Sequence, residues 1–217
     1  MEQKRRNVIS IAITFGLVLT VFIFPNASPN HDPKRPQTIT DYFQIIAAKT
    51  KPRPNDSVIL ASDLNKRFVI TVKDFVEYKA HMQFLYDIQG IKGFLRNEAL
   101  LEEMIKSELL AAEAVANGLN ISEGELQDYI AQQREALKSA PLEMKEIEMN
   151  LIRLSGLSED AYWQSEKTLK NYERFLLINK LTEHLNLKTK KEYEELENRL
   201  LKETKIQINK RELVSKF

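Results

Sequence analysis

The side chains able to do acid–base, metal or nucleophilic chemistry are few and scattered. Cysteine is absent from the 217 residues, which excludes disulfides, thiolate metal sites, a cysteine nucleophile and a lipidated N-terminal cysteine. The three histidines, His31, His81 and His184, stand far apart in the chain. His81 follows Glu77 by four residues on an expected helix, but one imidazole does not build a site, and a surface or boundary position suits it better. Glu102, Glu103, Glu113 and Glu123 are the remaining acid–base candidates. No nucleophile, metal-ligating set or glycine-rich phosphate loop accompanies them, and carboxylates on a charged helical surface are usually solvated. The expectation is therefore no catalytic residue, no metal ligand and no cofactor. Thirty-two Lys and Arg against 31 Asp and Glu leave a formal net charge of +1, so nothing in the bulk charge argues for nucleic acid.

Binding chemistry has better candidates. Leu142, Met144, Ile147 and Met149, continued by Leu151 and Ile152, form an apolar segment with two flexible thioethers, a composition that adapts to varied partners. Tyr162 and Trp163 add two large aromatics at the start of an expected helix. Both sets suit core packing, because helical spacing of apolar residues fits a helix buried on one face and an aromatic near a helix start usually anchors it to a neighbour. Their functional reading is a wall of a groove that receives apolar segments of other chains. On that reading the client-contacting residues are Leu142, Met144, Ile147, Met149, Tyr162 and Trp163.

The elements that must position these residues fall into three parts. Lys4, Arg5 and Arg6 precede an uncharged run from Val8 to Phe24. At ~1.5 Å per residue that run spans about 26 Å as a helix, close to the ~30 Å hydrocarbon core. The basic flank puts the N-terminus in the cytoplasm and the bulk of the chain outside. A retained signal-anchor in the cell membrane fits better than a cleaved signal peptide followed by secretion, since Pro25 and Asn26 make poor cleavage-site residues. Six of the seven prolines fall between Pro25 and Pro54, so residues 25–56 read as a linker, with a short helical piece over Tyr42 to Ala48 that Thr40 caps and that packs on the domain or the bilayer. Residues 57–217 form the folded domain, and with 43% hydrophobic residues overall the chain has material for one real core.

Within that domain, Val58 to Ala61 and Phe68 to Thr71 read as a small hairpin. Thr71 and Asp74 then open a helix that ends near Gly90, and a longer helix follows from Phe94 to Asn117, closed by Gly118. Ser122 and Glu125 make a second capping box, Pro141 opens a helical piece to Leu154, and Ser158 begins a long helix running to about Leu185. Tyr193, Leu196 and Leu200 keep a helical stripe through the charged stretch Lys188 to Lys205. Ile206 and Ile208 then alternate with polar residues, and this strand is expected to pair with the early hairpin.

This order of signals resembles the N-terminal chaperone module of the SurA and PrsA family of extracytoplasmic foldases, related to the peptide-binding part of trigger factor. The resemblance covers roughly Ser57 to Leu185. It rests on the strand-turn-strand running into Ile70, Thr71 and Phe75, and on Leu100, Leu101, Met104, Ile105 and Leu109 leading to Glu113, Ala114 and Asn117-Gly118-Leu119. Ile121, Ser122 and Glu125 continue it, and Leu157, Ser158, Tyr162 and Trp163 open its last long helix. With the C-terminal strand read from the alternation at Ile206 and Ile208, the fold expected is mainly α with a small β-hairpin and that strand, and the resemblance implies a helical chaperone domain binding unfolded or newly translocated polypeptides. Relatives often carry a parvulin prolyl isomerase domain before the last helix. Here Leu185 is followed almost at once by Lys188 to Lys205, so no such domain is inserted and isomerase activity is not expected. The sequence thus describes a membrane-anchored extracytoplasmic holdase without catalysis, with a non-catalytic scaffold for one envelope partner as the alternative. It carries no signal for oligomeric state or client identity.

Overall fold

The computed structural model describes residues 39–88 and 96–214. The expected membrane helix over 8–24 lies outside the described residues, and among those described no helix is long and apolar enough to cross a membrane.

The chain enters as helix α1 (Ile39–Lys49) and then forms strands β1 (Ile59–Asp63) and β2 (Val69–Thr71). The turn between them is closed by one buried carboxylate. Asp63 accepts from the amide and the Nε of Arg67, both at 2.7 Å, while Lys66 takes up φ 54°, the left-handed conformation that a tight reversal needs. Strand β3 (Ile206–Ile208) pairs antiparallel with β1 from the other side, Ser62 facing Gln207, so the sheet order is β2-β1-β3. The alternating Ile-Gln-Ile signal therefore forms a strand, and it pairs with the hairpin as expected.

Helix α2 (Val72–Ile88) starts directly from β2. Thr71 and Asp74 cap it reciprocally: Asp74 Oδ2 accepts from the Thr71 amide at 3.0 Å, and Thr71 Oγ1 accepts from the Asp74 amide at 3.2 Å. Its expected end at Gly90 falls outside the described residues, whereas the next helix starts at Asn97 and not at Phe94, since Arg96 before it is still extended at φ −71° and ψ 132°. Helix α3 (Asn97–Ala116) ends in a Schellman motif, the Leu119 amide reaching the Ala114 carbonyl across Gly118 at φ 76°. The Ser122–Glu125 box opens α4 (Glu123–Lys138), and α5 (Leu142–Ser155) runs from Pro141 to a left-handed Gly156.

Three features depart from the sequence reading. The long helix expected from Ser158 is two helices, α6 (Glu159–Trp163) and α7 (Glu166–His184), because the Ser165 hydroxyl accepts from the Thr168 amide and caps a second start. The piece inside the proline-rich segment is longer than Tyr42 to Ala48 and belongs to the packed unit, which thus begins no later than Ile39. Thr40 does not cap it; its hydroxyl donates to Glu146 of α5 at 2.9 Å. Finally, β3 is followed by a short helix α9 (Lys210–Val214) whose Leu213 is buried. Before β3 runs α8 (Lys190–Glu203), which carries an unanticipated capping box of Thr189 and Glu192 and buries Leu196 and Leu200.

The buried residues form two clusters. The first joins the sheet (Leu60, Ile70) to α3 (Leu101, Ile105, Leu109), the second half of α7 (Leu177, Leu181), α8 and Leu213. The second joins α1 (Phe43, Ile46), Ile130 of α4, α5 (Ile147, Leu151), Tyr162, Trp163 and Tyr172. Helices α2 and α7 run through both, since Phe75 lies in the first cluster and Phe84 in the second, and Leu181 in the first and Tyr172 in the second. A fold that is mainly helical around a small three-stranded antiparallel sheet is the result.

Candidate functional site

Of the six residues singled out for client contact, Ile147, Tyr162, Trp163 and Met144 gather in one cluster, while Leu142 and Met149 stand apart on the surface. Trp163 is only 1% exposed, stacked on Tyr172 with ring centroids 6.2 Å apart and set edge-on to Tyr162 at 5.7 Å. Tyr162 and Ile147 are buried with it, and Met144 packs partly buried against the same cluster. Leu142 and Met149 are instead exposed, at 79% and 49%. The physical reason is α1: it packs along α5 and puts Phe43 and Ile46 into the cluster that holds Ile147 and Leu151. The face of α5 that sequence reading offered to a client is covered by the chain's own helix. These residues therefore form a core and two isolated surface side chains.

A concavity lies elsewhere. An open groove of about 750 Å³ runs between β2 and helices α2, α3 and α7. Each wall is placed by a local device already described: the Asp63 turn presents Lys66 to Ile70, the Thr71–Asp74 cap aims the first turns of α2, and the Ser165 cap starts α7 beside them. The groove's floor is apolar, with Phe68, Ile70, Ala111 and Leu177 buried beneath it and Val69 and Met104 offering more surface. Val69 is 43% exposed.

The rim is charged but pairs off internally. Lys167 is bonded to Glu77 and Arg174 to Glu108, each joining α7 to the helix across the groove. Lys170 holds Glu166 at 2.7 Å, and Arg174 Nη2 donates to Asn171 at 2.9 Å. The lining holds Lys66, Arg67, Lys167, Lys170 and Arg174 together with Asp74, Glu77, Glu108, Glu166 and Glu173, so its formal charges cancel. Burial, assisted by the nearby Glu103 carboxylate, pushes the Tyr78 hydroxyl up to about 12, which keeps it a neutral hydrogen-bonding group.

Behind the Lys167–Glu77 pair lies a smaller cavity of about 250 Å³ lined by Ile46, His81, Leu151, Tyr162, Lys167 and Thr168 among others, with Glu77, Lys167 and Asn171 bordering both spaces. His81 is a core histidine: Nδ1 donates to the Glu77 carbonyl at 2.6 Å, and burial, with Lys167 close by, brings its pKa down to about 4. Its ring is neutral at physiological pH.

Three of the four acidic candidates are placed in ion pairs, and Glu123 is exposed. Lys106 bonds Glu102 at 3.1 Å and Glu103 at 3.0 Å, and Arg199 of α8 reaches Glu113 at 3.3 Å. Among the described residues no group of three or more His, Asp or Glu side chains is arranged to hold a metal ion. What the groove offers is adsorption: apolar contact below, neutralised charge above, and a strand along one side. Its residues come from 66–78, 104–111 and 166–177, and sequence reasoning named none of them as a site. Comparison with family models, curated proteins and solved structures finds no match for this chain.

Proposed function

We propose that this chain is a non-catalytic holdase, anchored in the membrane by residues 8–24, whose outward-facing domain binds unfolded or newly translocated polypeptides. The observation that carries the reading is the groove of about 750 Å³ with an apolar floor under a self-neutralised rim. Apolar contact without a net charge requirement gives weak affinity and broad tolerance, as a holdase needs. The resemblance of the element order to SurA- and PrsA-type modules points the same way, and the arrangement of helices on a small sheet is compatible with it. Attachment to the membrane raises the local concentration of the domain where exported chains emerge.

The test is suppression of aggregation. The full chain in lipid nanodiscs, added in several-fold molar excess to a denatured model protein diluted from guanidinium, is expected to cut light scattering at least by half, with empty nanodiscs as control. Scattering equal to that control overturns the proposal. Capture of one stoichiometric partner from envelope extracts, together with no effect on scattering, identifies a scaffold module instead.

A further inference from the structure

One side of the groove has main-chain hydrogen-bonding groups turned toward it. In an antiparallel ladder, successive residues direct their N–H and C=O to opposite edges. The Asn209 amide donates to the Leu60 carbonyl at 2.8 Å and the Leu64 amide to the Lys205 carbonyl at 3.3 Å. Leu60, Ser62 and Leu64 thus address β3, and Ala61 and Asp63 address β2. The ladder slips by one residue between Ile59 and Ala61, but both sides of the slip agree: Ala61 faces Ile70, and the Val72 amide donates to the Val58 carbonyl at 2.9 Å, so Ile70 and Val72 commit their main chains to β1. Val69, one residue before Ile70, turns its N–H and C=O to the opposite edge. Among the described residues no strand lies there, because β2 ends the sheet order. The five residues Lys66 to Ile70 all line the groove, so that edge opens into it. The next amide on the same edge, that of Thr71, is already held by Asp74.

We propose that an extended polypeptide segment docks in the groove as a fourth strand on β2, exchanging a pair of main-chain hydrogen bonds with Val69. Alternate side chains of that segment then fall on the apolar floor of Phe68, Met104 and Leu177. This rests on the groove being the polypeptide site proposed above and specifies how it is used. Three observations fix the occupant. An outward N–H and C=O on one residue is matched by another peptide main chain, whatever its side chains. The rim charges cancel, so the inserted residues are uncharged. The edge runs along a groove walled by α2, α3 and α7, which admits a single extended segment such as a chain not yet folded presents.

The experiment uses a fluorescein-labelled ten-residue peptide alternating Val with Thr and Ser, and fluorescence anisotropy with the full chain in nanodiscs. Two further peptides carry N-methyl groups on alternate residues, one in each phase, so that each blocks one main-chain edge and leaves the other intact. The parent peptide and one phase are expected to bind, and the other phase to bind about tenfold more weakly or not at all. Val69→Pro, tolerated on an edge strand because the lost N–H points away from the ladder, is expected to weaken the parent peptide by a similar factor. Equal binding of all three peptides by the unaltered protein overturns strand addition while leaving the holdase reading intact. The strand proposal also falls if no peptide binds while aggregation is still suppressed, and both proposals fall if neither binding nor suppression is seen.

Discussion

Single buried polar groups hold the walls of the groove. Asp63 sits almost fully buried at the turn that presents Lys66 to Ile70. Burial by itself would raise its pKa, but the Arg67 guanidinium and the Arg67 and Phe68 amides outweigh that and hold it below the ordinary 3.8. A carboxylate depressed by folding contributes stability that is present above its ordinary pKa and is lost as pH falls through the folded value. Asp63→Asn is therefore expected to cost about 2 kcal/mol at pH 7, measured by urea unfolding, and the gap to the native protein should narrow below about pH 4. A gap that stays constant down to pH 2 would mean that the charge is not what matters. His81 acts in the opposite part of the scale. The unfolded chain takes a proton near 6.5, whereas the folded one resists until about 4, so stability falls as pH drops across that window and levels below it. The loss is about 3 kcal/mol, from roughly 1.4 kcal/mol per pH unit. His81→Phe should flatten the curve of thermal midpoint against pH between 6.5 and 4; an unchanged slope would show that His81 does not set it. Neither role was legible beforehand, since Asp63 looked like any turn acid and His81 like any helix histidine.

Helices were readable where their ends carry chemistry. Thr71 with Asp74, Ser122 with Glu125, and Gly118 all mark boundaries that the structure keeps, because a capping side chain and its amide partner are close in sequence and need no tertiary information. The break at Gln164 was missed for a related reason. Ser158 was an obvious start, and the apolar stripe through Leu169, Tyr172 and Leu176 continues smoothly past Ser165, so periodicity concealed a second cap. Ser165→Ala removes the hydroxyl that accepts from Thr168 and should cost about 1 kcal/mol in thermal unfolding. A neutral result would mean that packing of Trp163 alone sets the break. Helix α1 was the harder case: proline density on both sides made residues 25–56 look like spacer, although Phe43 and Ile46 complete the second cluster. Phe43→Ala, which opens a cavity against Phe84 at a centroid distance of 5.1 Å, is expected to cost roughly 3 kcal/mol by chemical denaturation. Loss of less than about 1 kcal/mol would show α1 to be an ornament on the fold instead of a part of it.

Across the whole molecule, two clusters share two helices. Because α2 and α7 each contribute to both, melting one cluster frays the helices that support the other, and the described unit should unfold as one. The protein has a single tryptophan, Trp163, in the second cluster. Its fluorescence and the far-ultraviolet circular dichroism of all the helices are expected to change with coincident midpoints in urea. Leu109→Ala, in the first cluster, should move the Trp163 midpoint by as much as the dichroism midpoint; a fluorescence transition left in place would split the molecule into two units. The groove itself belongs to this scale, which is why no stretch of sequence announced it. Its walls come from segments about a hundred residues apart, and their apolar members, Phe68, Met104 and Leu177, each looked like ordinary core. Tyr162, Trp163 and the Met144 segment attracted attention through composition, yet composition does not say which helix will lie across them.

Strand β3 reaches the central strand of the sheet from far along the chain, with the described helices α2 to α8 lying between it and the hairpin. During synthesis the hairpin therefore emerges with the β3 side of Ala61 to Asp63 bare, and it stays so until Ile206 to Ile208 arrive. A nascent copy stalled before that point exposes a second naked strand border of its own, and so resembles the clients that the finished protein is proposed to shelter.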